Sequence, residues 1–316
     1  MDPLYRPRTL LALATTVLLW GSAFPVVRVL LRGSGPGAEP VFPPAELALA
    51  RYLIAALALG AVALVVRPPR PRVSDLPRLC AVAALGICLY NLAVNDGSRS
   101  VPAGPGSFIV NTAPLFSALF AVCVLGERVR MAGWLGMLTC LGGIGLIAAG
   151  EAQGLRLSRG VLEMAGAALL WSAYTVLQKP LLPRYGALGL VCYVAWIGTL
   201  MLSPCLVSTL DCVRAAPPRD LALLAYLALG PSAIAFTTWS YAVAQAPVSR
   251  VMPFLYAVPL VALALGWSVL NERPSALSLG GCALIIGGLV AINRWGAPVA
   301  SPAVALPVEA GGAVGR

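Results

Sequence analysis

Trp171, Tyr174, Thr175 and Gln178 stand at i, i+3, i+4 and i+7, so in a helix they share one face. Two aromatic rings and a neutral amide on one stripe suit a ligand with an apolar part and a polar part. The rings stack on the first, and the amide donates to and accepts from the second. Trp20, Trp239 and Tyr256 add further rings inside apolar runs, and Asn91 and Asn111 add further amides. Asn91, Asn95 and Ser98 share a face of the third apolar run, and Ser107, Asn111 and Pro114 a face of the fourth. The eighth run carries Ser232, Phe236, Trp239 and Ser240, and in the ninth Tyr256 precedes Pro259 by three residues. A purely structural role competes for each residue. Trp and Tyr near run ends anchor at membrane interfaces, and Ser, Thr and Asn bond between helices. The sixth-run stripe as a whole reads as the wall of a substrate cavity.

Charge inside the apolar runs is scarce. Arg51 lies several residues into the second run, where an ionisable group is costly unless it has a role. Glu46 precedes it by five residues and falls on another face. Asp96 and Glu163 are carboxylates that could carry a coupled proton, although both fall near the outer ends of their runs, where solvated interfacial charge is the simpler reading. Glu127-Arg128 and Glu272-Arg273 close runs and read as turns or interfacial ion pairs. Lys179, the single lysine, ends the sixth run before Pro180 and reads as an inner-face anchor.

Other chemistries lack their residues. The chain has no His, which removes histidine metal ligands, a Ser-His-Asp triad and a histidine proton relay. None of the eight Cys forms a Cys-x-x-Cys pair, and most lie within apolar runs as small hydrophobes. No metal site and no cofactor is expected. A phosphate-binding Gly-x-x-x-x-Gly-Lys-Ser/Thr loop is missing, so ATP is not the expected energy source.

The elements that must position these residues are membrane helices. Of 316 residues 59% are hydrophobic and 11% charged, against about 25% charged in a soluble domain. Ten apolar runs of bilayer-crossing length recur, at 10–31, 43–66, 76–97, 101–125, 131–149, 160–179, 187–209, 219–243, 248–270 and 276–294. They are continuous rather than alternating, which favours helices over a β-barrel. The first is too long for a cleavable signal, and many spans follow it. The tail 295–316 reads as disordered.

The runs repeat. Pro102-Ala103 through Val124-Leu125-Gly126-Glu127-Arg128 to Gly143 matches Pro247-Val248 through Val269-Leu270-Asn271-Glu272-Arg273 to Gly288, 145 residues apart without a gap. Asn111 matches Tyr256 on this offset, and Pro114 matches Pro259. Trp20 holds the place of Trp171, 151 residues on, because the second copy is six residues shorter between its first and third runs. The fold expected is an all-α membrane protein of ten transmembrane helices. They form two five-helix repeats, 10–149 and 160–294, inverted because five is odd. Thirteen Lys and Arg would face inward and eight outward, with Arg51 inside a helix, which puts both termini in the cytoplasm. The +10 net charge is then a topology signal, and no nucleic-acid partner is expected.

Leu19-Trp20-Gly21-Ser22-Ala23-Phe24-Pro25, Arg51-Tyr52-Leu53-Ile54-Ala55-Ala56, Leu125-Gly126-Glu127-Arg128 with Trp134-Leu135-Gly136, and Ala244-Gln245-Ala246-Pro247-Val248-Ser249-Arg250 with Leu270-Asn271-Glu272-Arg273 occur in this order. Together with the ten runs and the duplication they resemble EamA-type members of the drug/metabolite transporter superfamily. Asn271 departs from that pattern, where Gly is usual. The resemblance implies two five-helix repeats and export or exchange of small metabolites. The expected protein is a secondary transporter of a bacterial inner membrane, exporting amino acids or related metabolites, as a monomer or weak homodimer. Its partners are a small-molecule substrate and the lipid bilayer. Alternatives are a multidrug exporter and an exchanger of phosphorylated metabolites or nucleotide sugars. From other classes come an integral-membrane enzyme, which would need an interfacial His, Asp or Glu cluster, and a non-transporting scaffold.

Overall fold

A computed structural model describes residues 2–32, 42–101, 103–151, 158–270 and 275–295, and these are helical throughout with short connections. Asn271, Glu272, Arg273, Pro102, residues 296–316 and the Ser107 side chain lie outside the described set. Eight stretches are long and apolar enough to cross a bilayer, and Met131–Ile147 forms a shorter apolar helix.

Helix α1 is Pro7–Arg32 and α2 is Pro44–Val66. Helix α3, Leu76–Ala83, widens into a π-helical turn at Ala84–Leu89 and continues as α4, Tyr90–Ser100. The wide turn frees carbonyls, and the Asn91 Nδ2 donates to those of Gly86 and Ile87, at 3.4 and 2.9 Å. The expected fourth span is two helices, α5 at Ala103–Val110 and α6 at Ala113–Leu125. Pro114 explains the break: it has no N–H, and its ring crowds the carbonyl of Val110 four residues earlier. The Thr112 hydroxyl donates to the freed carbonyl of Ile109 at 2.7 Å. Helix α7 is Met131–Glu151 and α8 is Arg159–Gln178. A single 57-residue helical stretch, Arg159–Ala215, would be about three times too long to cross a bilayer straight. It reverses at Gly186, whose φ of 66° and ψ of 170° suit only glycine. Helix α9, Leu182–Leu202, spans that reversal, and α10, Leu206–Ala215, completes the return.

Helix α11, Pro218–Leu227, passes through a second π-helical turn at Ala228–Ile234 into α12, Ala235–Gln245. Here Pro231 removes the donor, and its own carbonyl accepts from Trp20 Nε1 at 3.0 Å. The short α13, Val248–Val251, leads through a tight 3-10 segment, Met252–Ala257, into α14, Val258–Leu270, and α15 is Ala276–Trp295.

Boundaries recur at the sequence offset. Helices α4 and α12, and α6 and α14, begin and end 145 residues apart, and so do the starts of α7 and α15. The packing partners recur as well. Helix α4 packs on α8 as α12 packs on α1, α6 packs on α8 as α14 packs on α1, and α7 pairs with α15. In that last pair a Cβ on Gly143 would stand 2.6 Å from the carbonyl oxygen of Gly281, and one on Gly288 would stand 2.7 Å from that of Gly136. Only hydrogen fits there, so the backbones touch and cross antiparallel. Gly142 and Gly287, the other members of the two Gly-Gly pairs, face open space.

Candidate functional site

A cavity of about 130 Å³ lies among α1, α2, α4, α5, α8 and α12. Its core is a nest of rings. Trp171 on α8 meets Trp20 on α1 edge-on at 5.1 Å, Tyr90 on α4 at 5.0 Å, Tyr174 at 4.9 Å and Phe236 on α12 at 5.6 Å. Such pairs contribute roughly 0.5–1.5 kcal/mol each beyond area burial, so the nest is a rigid floor. Gly86 makes room for it, because a Cβ there would fall within 2.7 Å of ring carbons of Tyr174.

From this floor the cavity climbs along α4. Tyr90, Asn91, Val94, Asn95, Ser98 and then Val101 line it, following one helical face to the end of the element. Asn111, Pro114 and Gly106 line it from the facing segment. Asn91 Nδ2 also donates to the hydroxyl of Tyr52 at 3.2 Å, and Asn95 Nδ2 donates to the carbonyl of Pro44 at 3.0 Å. Arg51 reaches the wall from α2. It is 8% exposed, its Nε donates to the Ser232 hydroxyl, and its guanidinium stands 5.5 Å from the Tyr52 ring centre.

The expected site residues therefore separate. Trp20, Arg51, Asn91, Asn111 and Trp171 line the cavity. Tyr174, Gln178, Trp239 and Tyr256 do not. Tyr174 and Trp239 pack behind the ring nest, and Gln178 accepts from the Ser240 hydroxyl at 2.9 Å. Each is at most 1% exposed. The Nε2 of Gln178, Nε1 of Trp239, hydroxyl of Tyr256 and Oγ1 of Thr175 have no hydrogen-bond partner among the described residues. Asp96 and Glu163 stand apart from the ring nest in a chain with Arg159. Arg159 contacts Glu163 at 2.6 Å and Asp96 at 3.4 Å, and Arg99 contacts Asp96 at 3.4 Å.

The opposite end is shut. Glu127, which the sequence reads as a turn or interfacial ion-pair residue, reaches across to the start of α13. Its carboxylate accepts from the amides of Val248 and Ser249 at 2.7 and 2.9 Å and from the Ser249 hydroxyl at 2.6 Å. Lys179, at the foot of α8, stands 3.7 Å from that carboxylate and donates to the carbonyl of Ala246. It is therefore a cross-link between segments as well as an end charge. Close by, Leu4 is fully buried, Asp2 pairs with Arg250 at 2.5 Å, and the Tyr5 hydroxyl donates to Asn293 Oδ1 at 3.1 Å. Burial alone would raise the Asp2 pKa. The Arg250 hydrogen bond, the Leu4 amide and the Arg250 charge outweigh it and hold the carboxyl below its ordinary value.

Sequence reasoning passed over Tyr52, Tyr90 and Met164, which also line the cavity. Tyr52 and Tyr90 directly adjoin Arg51 and Asn91, and a ring beside a buried polar residue was the available signal.

Apolar helices of membrane length around a ring-lined cavity define a multi-pass membrane protein with an internal site of small-molecule size. The chain belongs to the EamA-like transporter family, which matches it over residues 7–149 and 158–294. It is 38% identical over 283 residues to a probable terminal-alkyne amino-acid exporter of Streptantibioticus cattleyicolor, covering 90% of this chain and 92% of that one. It is 24% identical to a probable amino-acid metabolite efflux pump of Escherichia coli, covering 89% and 92%. It is 27% identical to an aromatic amino acid exporter of Ancylobacter novellus, covering 87% and 93%. A solved protein crystal structure shares the fold with a TM-score of 0.70 at 23% identity, over 90% of this chain and 96% of that one.

Proposed function

We propose that this protein exports amino acids or related small metabolites across a bacterial inner membrane by alternating access. It does so with ten spans arranged as two inverted five-helix repeats and both termini in the cytoplasm. One observation carries the reading: matched positions of the two copies are used differently around the cavity. Asn91, Val94, Asn95, Asn111 and Tyr90 line the cavity. Of their partners 145 residues on, Phe236 lines the cavity too, whereas Ala235, Trp239, Ser240 and Tyr256 do not line it and are fully buried. In four of the five pairs one member thus meets the cavity and the other is packed away from it, which supports one state of a two-repeat transporter. The unpartnered polar atoms of Trp239, Tyr256, Gln178 and Thr175 stand in the shut half. Buried donors without partners are rare, and opening that half would hydrate them.

The names of the relatives support amino acids or their metabolites as cargo. Without a nucleotide-binding motif, flux draws on a substrate or ion gradient. A phosphorylated-metabolite exchanger would need more cavity cations than Arg51 alone.

Flux of labelled amino acids from proteoliposomes tests the function, and absence of flux for the whole proteinogenic panel would sink it. Single cysteines at Arg130 and Ser275, in a variant without the native ones, test the architecture. Labelling from opposite faces is expected, and labelling from one face would refute the inverted repeat.

A further inference from the structure

Arg51 is the one charged residue among the described residues that line the cavity. It is more than nine-tenths buried, yet no carboxylate lies within ion-pair distance among the described residues. Among the described residues its single hydrogen bond takes Nε to the Ser232 hydroxyl, which itself donates to the Leu227 carbonyl at 3.0 Å. That bond fixes the plane of the guanidinium and leaves the four N–H groups of its two terminal nitrogens without a partner among the described residues. A guanidinium fork matches the two oxygens of a carboxylate. A buried cation without an anion of its own is expensive unless something supplies the counter-charge. The Nδ2 atoms of Asn91 and Asn95 are spent on Tyr52, Gly86, Ile87 and Pro44, which leaves each Oδ1 without a donor among the described residues. The cavity thus offers one cation, two carbonyl-type acceptors and a floor of rings, and no acid.

We propose that Arg51 binds the carboxylate of the transported molecule and thereby sets its specificity. The protein takes amino acids and other monocarboxylates whose side chain rests on Trp171 and Trp20, and it rejects amines that lack an acid. The Asn91 and Asn95 carbonyls accept from the substrate ammonium where there is one. Ser232 is a positioning residue that acts through Arg51. This assignment rests on the export reading above and names the chemical handle that reading leaves open.

The test uses the purified full-length protein in lipid nanodiscs, read by the fluorescence of the cavity tryptophans. Each proteinogenic L-amino acid is titrated, and each that binds is compared with its amide and with its decarboxylated amine. The wild-type protein is expected to bind the acid on the order of 10- to 100-fold more tightly than the amide, the range for losing charge-assisted hydrogen bonds. Arg51→Gln should bring the acid down to the level of the amide and leave the amide nearly unchanged. Arg51→Lys should restore part of the preference. Ser232→Ala should shrink the preference while Arg51 remains, and it decides the matter if Arg51→Gln does not fold. Equal binding of acid and amide by the wild-type protein, or an undiminished preference in Arg51→Gln, overturns the assignment. If labelled amino acids still leave wild-type proteoliposomes in that case, export stands and only the role of Arg51 falls. Binding and flux absent for every amino acid overturn both.

Discussion

Glu127 gives the sharpest handle on the shut end. Its carboxylate holds two backbone amides and one hydroxyl at the start of α13 and faces the Lys179 ammonium. Glu127→Ala leaves the amides of Val248 and Ser249 without that acceptor and Lys179 without an acid. A hydrogen bond to a charged group contributes about 1.5–3 kcal/mol, and removing a helix N-cap costs about 1 kcal/mol. Partial hydration at this end offsets some of it, so a net loss of about 2 kcal/mol is a fair expectation. If the shut half must open during transport, the loss falls on the shut state alone. The equilibrium then moves toward the opposite-facing state by about 30-fold. Ser240 is fully buried behind the latch, so Ser240→Cys in a variant lacking native cysteines reports opening through its rate of alkylation. The rate should rise roughly 30-fold when Glu127→Ala is added, with the melting temperature measured in parallel. An unchanged rate in a folded protein would refute the latch and leave Glu127 a mere turn residue.

Three further outcomes are expected. Gly143→Ala drives a Cβ against the Gly281 carbonyl and should destabilise the protein by about 1–3 kcal/mol, whereas Gly142→Ala meets open space and should melt like wild type. Equal melting of the two would show that the α7–α15 crossing is looser than described. Trp171→Ala should weaken substrate binding by about 1 kcal/mol or more, while Gln178→Leu should spare binding from the open side and slow transport. Flux per folded molecule, set beside equilibrium binding, separates the two, and normal flux in both removes this face from the pathway. The depressed pKa of Asp2 contributes stability that is present above the ordinary carboxylate range and is lost as pH falls through the lower folded-state value. Melting temperature should fall less steeply on acidification in Asp2→Asn than in wild type, and parallel curves would dismiss the Asp2–Arg250 pair.

The helical class and the recurrence at 145 residues were legible because they rest on run length and on residues such as Pro114 and Gly143 that have few substitutes. Helical periodicity also put Asn91, Asn95 and Ser98 correctly on one face. It could not say whether a face meets a cavity or a neighbour at a given depth. Trp171 and Gln178 belong to one stripe, yet Trp171 lines the cavity and Gln178, two turns on, is sealed against Ser240. The break at Asn111–Thr112 was only half legible: a proline within a helical run favours a bend, but nothing local shows the Thr112 hydroxyl meeting the Ile109 carbonyl. The partners of Glu127 were the least legible feature, since they lie 121 and 122 residues away and no local pattern points to them.

The crossing of α7 and α15 also bears on how the chain is made. Gly143 is synthesised 145 residues before Gly288, which at typical elongation rates is a delay of roughly 7 to 30 s. Throughout that interval the glycine-lined seam of α7 lacks its α15 partner. The seam is reciprocal, each glycine meeting the carbonyl of its counterpart's segment, so the α15 of a neighbouring nascent chain would fit it as well as the chain's own. Helix α15 is thus a clasp, and the ribosome must deliver it before a stranger does.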